Sequence, residues 1–477
     1  MNKEINHGVM WSLGSRFSDY TISLIFTSIL ARIVLPEHYG LFNMVSTVTA
    51  FFMIFADGGL AWSIVQKKYI SDEAVSNLFW INAALGCFMA LICLLISPFL
   101  AKFYGYEELT NLTALMSVNF ILTGLTVSGT AWLKRQLKLP AIAIINIVAL
   151  LAAGIAGLYA AHTGMGYWSL AIQSVVKSSI TMVGVFSVAR MPLQFYCKNT
   201  PMLEMLKFSS GLLGFGAINY FSRNLDSILI AKYLGARDLA FYAKAYFIIT
   251  LPSMLITGAL MGLMVSVLSK YQDDNFLFHT YYKRSLRLIA LLSFPIAGYF
   301  FAFPDDIILL LYGNNWVDVV PLIRILSIAC LTQPLYSTMG WIFIATGNTR
   351  FMLYFGIFST IILSFSFLVG IKWGVTGVAW SYSLVAGILS SFSALAYSHH
   401  VAGISLTETF HYLIPVTLIS SASLVFTWWV SIYQIGDMGL LMNIMIRCSL
   451  IASTLLIFLT VFYRTNILNL LNILDES

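Results

Sequence analysis

Charge is what this sequence has least of. Only 10% of its 477 residues are Asp, Glu, Lys or Arg, and 59% are hydrophobic; a soluble domain carries about a quarter charged residues. The shortage excludes water as the main solvent. Apolar stretches of about 20 residues, enough to cross a hydrocarbon core of roughly 30 Å, recur along the whole chain and leave no segment for a folded soluble domain. Cysteine is scarce as well. Cys87, Cys93, Cys197, Cys330 and Cys448 are scattered and odd in number, without metal-ligand spacing or a disulfide framework, so they read as small core residues. No Walker-type Gly-rich phosphate loop occurs. No small-residue cleavage site follows the first apolar stretch, which Arg16 and Asp19 interrupt, so a retained N-terminus is expected rather than a signal peptide.

What is present is a succession of spans. Apolar runs between charged or Pro/Gly breaks lie at 9–34, 41–65, 77–101, 110–132, 140–161, 166–189, 208–234 and 241–267, then at 285–303, 319–345, 351–371, 374–397, 409–432 and 440–463. The pattern predicts an all-α integral membrane protein of about fourteen transmembrane helices. Alternate loops differ in basic residues. One side carries Lys3, Lys67, Lys68, Lys134, Arg135, Lys138, Arg190, Lys198, Lys207, Lys270, Lys283, Arg284, Arg287, Arg350 and Arg464; the other has Arg32, Lys102, Lys232, Arg237 and Lys372, together with Asp305, Asp306 and Asp318. The positive-inside rule places the first side, and both termini, in the cytoplasm. The net charge of +6 thus reports topology, and no nucleic-acid motif accompanies it. His399, His400 and His411 fall in or beside one cytoplasmic loop and read as solvated, so no metal and no cofactor are assigned.

Sliding the chain by 200 residues sets Gly14 on Gly214, Ala31-Arg32 on Ala231-Lys232, Phe42 on Tyr242, Gly58 on Gly258 and Leu60 on Leu260; after a short insertion Tyr104-Gly105 meets Tyr312-Gly313. The ordered matches predict two six-helix lobes in a parallel repeat, residues 1–200 and 201–400, with two additional spans in 401–477. Pro252, Pro295, Pro334 and Pro415 fall inside spans, where each frees a carbonyl; general tolerance of Pro and kinks that let lobes rock are both open readings. Trp11, Trp62, Trp80, Trp132, Trp168, Trp341 and Trp380 sit near span ends as an interfacial belt would.

Ionisable residues inside spans cost roughly 2.5–3.5 kcal/mol each near the bilayer centre, so they mark an interior. The cations are Arg16, Lys177, Arg223, Lys244, Arg324 and Arg447, against the acids Asp19, Asp57 and Asp226. The excess of cations suits an anionic head group. Lys244 and Arg324 lie near enough to the outer interface to snorkel, and Arg447 can equally hold a structural partner. Arg16/Asp19 and Arg223/Asp226 each occur as Ser-Arg-x-x-Asp; i,i+3 spacing puts each pair on one helix face, where it can also neutralise itself and only pin packing. Arg16, Asp19 and Asp57 are deep enough in antiparallel spans one and two to share a cluster. Candidate binding residues are therefore Arg16, Lys177, Arg223, Arg324 and Arg447. Without a nucleotide loop an ion gradient is the remaining drive, and Asp19, Asp57 and Asp226 are its candidate carriers, because a carboxylate in low dielectric can exchange protons near neutral pH.

These residues resemble the polysaccharide transporters, the Wzx-type flippases of the multidrug/oligosaccharidyl-lipid/polysaccharide exporter superfamily, nearly from end to end. The resemblance is carried by Gly8 and Trp11; Leu30-Ala31-Arg32 with Pro36-Glu37 and Gly40; Asp57-Gly58 with Gln66-Lys67; Phe79-Trp80 with Asn82; and Leu133-Lys134-Arg135. In the second lobe it is carried by Arg223 and Asp226, Leu234-Gly235-Ala236, Tyr242, and Tyr312-Gly313 with Trp316; Ala231 and Ala240 depart from it, where the family often has Gly. It implies a non-enzymatic flippase of a bacterial inner membrane that moves undecaprenyl-diphosphate-linked oligosaccharide to the periplasmic leaflet for O-antigen, capsule or exopolysaccharide assembly. Membrane lipids are implied partners, with a polysaccharide polymerase and a chain-length regulator downstream. A peptidoglycan lipid-precursor flippase or a cation-coupled multidrug exporter of the same superfamily is the alternative. A polymerase would need a long polar outer loop, and every outer loop here is short.

Overall fold

The computed structural model describes residues 2–57, 64–65, 69–194, 220–221, 223–433 and 439–462. Among them all regular structure is helical. Among the described residues eleven stretches are long and apolar enough to cross a membrane, and the chain is a multi-pass membrane protein. The stretch Arg350–Val401 holds two of the fourteen expected spans, parted by a 3-10 turn at Ile371–Trp373. Span one is the helix Asn2–Ile33, and the first part of span seven, residues 208–219, lies outside the described residues.

The chain forms two compact units, Met1–Ala240 and Phe241–Ser477. In the first, α1 is Asn2–Ile33, α2 Pro36–Asp57, α3 Asp72–Tyr104, α4 Glu108–Arg135, α5 Leu139–His162 and α6 Tyr167–Ala189. Local chemistry sets their ends. Ser71 caps α3 by accepting from the Ala74 N–H at 3.2 Å, with Asp72 and Glu73 in the first turn, where carboxylates oppose the helix dipole. Gly105 closes the same helix in the left-handed region at φ 84°, which only a residue without Cβ adopts cheaply.

Helix α3 packs on α4, α5 on α6, α4 on α6 and α1 on α5. Lipid gives no hydrophobic drive for this, so close approach comes from small residues. A Cβ on Gly86 of α3 would stand 2.5 Å from the Phe120 carbonyl oxygen of α4. Four residues before Gly86, Asn82 donates to the Ser128 hydroxyl at 2.9 Å. Where α2 begins, a Cβ on Gly40 would overlap the backbone of Ala236.

In the second unit, α7 is Ala236–Lys270, entering from the first, followed by α8 Asn275–Ala302, α9 Pro304–Leu311, α10 Val320–Ser337, α11 Met339–Ala345, α12 Thr349–Gly370, α13 Gly374–Ser381, α14 Ser391–Val401, α15 Leu406–Tyr433 and α16 Leu440–Phe462. A π-helical segment, Tyr382–Ser390, joins α13 to α14. Helix α8 packs between α10 and α15, and α10 against the π segment. Pro252, Pro295, Pro334 and Pro415 all lie inside helices.

Several expectations need correction. Span nine begins ten residues earlier than hydropathy placed it, because Lys283 pairs with Glu408 and both Lys283 and Arg287 sit over the Tyr412 ring, at 5.5 and 4.5 Å. Partnered cations extend a helix that an apolar window truncates. Trp341 is a core residue rather than an interfacial one. His399 is fully buried, its Nε2 3.0 Å from the Thr409 hydroxyl. Cys93 and Cys330 are buried, but Cys87 and Cys448 are exposed, and Cys197 lies outside the described residues.

Candidate functional site

A cavity of about 540 Å³ opens between α4 and α6 in the first unit. Its polar lining follows from helical spacing. Thr123, Thr126, Thr130 and Lys134 recur every three or four residues along α4, and Ser174, Lys177, Ser178 and Thr181 do the same on α6, so each set makes one stripe down a helix face. Leu122, Val127 and Ala131 supply apolar wall between them. Lys177 is exposed to the cavity, whereas α6 is otherwise apolar or weakly polar.

Hydroxyl protons in this wall turn back into the helices. Thr126 donates to the Leu122 carbonyl at 2.6 Å, Thr130 to Thr126 at 3.2 Å and Thr181 to Lys177 at 2.8 Å. Ser174 accepts from the Asn119 amide at 3.3 Å. A hydroxyl that has given its proton to a carbonyl keeps its oxygen lone pairs. The wall therefore presents acceptors, with ammonium groups among them.

Lys177 also answers a carboxylate. Its charge acts on Asp19 of α1, whose Oδ1 is buried without a hydrogen-bond partner. The sequence puts Asp19 with Arg16 and Asp57; among the described residues Lys177 is a cation whose field reaches it. The side chains of Arg16 and Asp57 lie outside the described residues. Arg223 and Asp226 differ in surroundings: Arg223 is exposed, while Asp226 is buried and accepts from the Ser227 N–H at 2.7 Å.

In the second unit Arg324 stands on a separate cavity of about 670 Å³, walled largely by Phe294, Phe301, Leu331, Leu424 and Trp428. Its Nε donates to the Phe301 carbonyl at 3.2 Å and its guanidinium lies 3.7 Å from Asp305. Arg447 is held by Asp306, by the Ser431 hydroxyl at 3.2 Å and by the Phe303 ring at 4.4 Å. Lys244 does not snorkel; it is buried over the rings of Tyr312 and Trp316, at 5.0 and 5.6 Å. Burial pushes the Tyr312 phenol well above its ordinary range, so the ring beside Lys244 is neutral.

Sequence reading found Lys177 but missed Lys134, which it assigned to a loop, and the six hydroxyl residues. Their signal is weak polarity at three- and four-residue spacing inside apolar helices, which a search for ionisable groups passes over. Among the described residues no cluster could hold a metal ion.

The chain is 24% identical over 431 residues to the lipopolysaccharide biosynthesis protein WzxC of Escherichia coli, covering 87% of this chain and 86% of that one. It is 24% identical over 448 residues to the teichuronic acid biosynthesis protein TuaB of Bacillus subtilis, covering 91% and 90%. Its fold is that of the lipid II flippase MurJ in an inward closed conformation, with a TM-score of 0.75, 16% identity, and coverage of 96% of this chain and 99% of that one. Residues 29–321 match the sequence profile of the polysaccharide biosynthesis proteins, and with more than half its length matched the chain belongs to that family.

Proposed function

We propose that this protein is a flippase that carries an undecaprenyl-diphosphate-linked oligosaccharide from the cytoplasmic to the periplasmic leaflet of a bacterial inner membrane. The observation that carries the reading is the cavity in the first unit, where Lys134 and Lys177 share one wall system with six hydroxyl groups. Ammonium groups suit a diphosphate; hydroxyl oxygens suit a sugar. A membrane-embedded cavity with both fits a ligand that is anionic at the lipid junction and polyhydroxylated beyond it. A cationic drug finds the wrong sign there. Relatives named for lipopolysaccharide and teichuronic acid biosynthesis support a polysaccharide precursor over a peptidoglycan one. Both termini face the cytoplasm in this reading, and polymerase and chain-length regulator proteins take the delivered repeat unit.

Drive comes from an ion gradient. Asp19, Asp57 and Asp226 are the carboxylates inside the spans. Binding of an anionic head group beside Lys177 competes for the cation that balances Asp19, which favours proton uptake there and couples the two events. Asp57, with no in-helix arginine, is a second carrier.

The test is export in cells. Lys177→Ala or Arg223→Ala should abolish surface polysaccharide at unchanged membrane levels of the protein, with lipid-linked repeat units accumulating on the cytoplasmic side. Arg223→Lys should restore export only in part, because an ammonium lacks the bidentate fork of guanidinium. Normal polysaccharide from both alanine variants would overturn the assignment.

A further inference from the structure

The proton bookkeeping of the cavity wall says more than its charge does. Thr126, Thr130 and Thr181 have each spent their hydroxyl hydrogen on a carbonyl of their own helix, and Ser174 is fixed by the Asn119 amide. Asn119 is 4% exposed, so this support is internal to the protein and independent of any ligand. Thr123, Thr126 and Thr130 stand on α4 at three- and four-residue spacing, ending at Lys134 about 16 Å along the axis from Thr123. Among the described residues no Asp or Glu lines the cavity.

From this arrangement we infer that the threonine stripe Thr123, Thr126 and Thr130, facing Ser178 and Thr181, is a sugar-reading subsite that accepts hydrogen bonds from glycan hydroxyl and amide groups, separate from the diphosphate held at Lys177. The inference rests on the flippase reading and deepens it. Two physical consequences follow. A ligand rich in donors satisfies the wall, whereas a sugarless diphosphate leaves these oxygens facing water or nothing. Recognition of the sugar and of the head group is separable, because the first resides in neutral hydroxyl oxygens and the second in a cation. Each neutral hydrogen bond lost is worth about fivefold in affinity, so three together amount to roughly 100-fold.

The experiment measures binding to the purified full-length protein in lipid nanodiscs. Two probes are used: lipid-linked oligosaccharide extracted from producing cells that lack this transporter, and undecaprenyl diphosphate without sugar. The unmodified protein should bind the glycosylated probe more tightly. The triple variant Thr123→Val, Thr126→Val, Thr130→Val should lose roughly 100-fold on the glycosylated probe and change little on the sugarless one, which removes the preference. Lys177→Ala should weaken both probes alike. The triple serine variant keeps the hydroxyl oxygens and should keep the preference, which separates loss of acceptors from loss of fold. Retained preference in the valine variant, or lost preference in the serine variant, overturns the subsite. No preference in the unmodified protein overturns it too while leaving the flippase reading in place. Failure of the unmodified protein to bind either probe overturns the flippase reading itself.

Discussion

Arg447 of α16 and Asp306 of α9 form an ion pair inside the second unit. The carboxylate also accepts from the Tyr299 hydroxyl at 3.1 Å, and the guanidinium reaches the Ser431 hydroxyl of α15 at 3.2 Å. An arginine that sequence offered as a substrate ligand is thus held by three neighbours from the elements around it, Asp306, Ser431 and Phe303. The pair fastens the last span to the segment between α8 and α10.

Arg447→Ala should therefore act on stability first. Asp306 is 7% exposed, and a buried charge stripped of its partner costs about 3–5 kcal/mol. Thermal unfolding in detergent should show a lowered midpoint, and the pair replacement Arg447→Met with Asp306→Leu should recover most of it. A variant as stable as the unmodified protein but inactive in export would return Arg447 to the substrate site.

The π-helical segment makes a second test. Thr332 of α10 donates to the Gly387 carbonyl at 2.5 Å, and Ser383 donates to the Ile325 carbonyl at 2.8 Å. The first satisfies a carbonyl of the π segment, where backbone groups are poorly paired in a medium without water, and the second ties a side chain of that segment to the backbone of α10. Thr332→Val should destabilise by about 1 kcal/mol and speed amide hydrogen exchange over 382–390 relative to α14. Unchanged exchange there would show that the segment holds itself.

Orientation is open to a third measurement. Reporter fusions placed after Lys138, in the basic turn between α4 and α5, should read cytoplasm, and fusions near Asp306 should read periplasm. The opposite pattern would reverse every depth assigned to the charges in the spans.

How much of this was legible depends on the kind of signal. Helical class and span positions follow from apolar length alone, which the bilayer enforces without reference to neighbours. The cation count points to an anionic ligand, and Lys177, one of those cations, lines a cavity. Partner assignment from spacing within one helix sees only part of a residue's surroundings. Spacing matches Asp19 to Arg16 at i,i+3, whose side chain lies outside the described residues; a charge that also acts on Asp19 comes from Lys177 of α6, a helix more than a hundred residues later. Arg447 could not be distinguished from a ligand-binding arginine because its acid lies in what reads as an outer loop. His399 looked solvated since two histidines at a span end are commonly wet; here the last turn of α14 folds it under Thr409. The hydroxyl stripe was invisible because Thr and Ser inside apolar helices ordinarily bond only their own backbone.

The Asp19 and Lys177 relationship yields the last prediction. Asp19 keeps a buried carboxylate oxygen with no hydrogen-bond partner, so its charge depends on a field rather than on a contact, and among the described residues Lys177 is a cation that contributes to that field. Removing Lys177 alone should strand that carboxylate; removing both charges should not. The single variant Lys177→Ala is expected to lower the unfolding midpoint more than the double variant with Asp19→Asn, with a coupling energy of about 0.5–3 kcal/mol, the range for residues within one charge network. Export separates the two roles. Neither variant should transport, because the phosphate has lost its cation in both, while stability recovers only in the double. If the effects of the two substitutions simply add, the charges do not sense one another, and the competition through which substrate would release Asp19 for protonation has no physical basis.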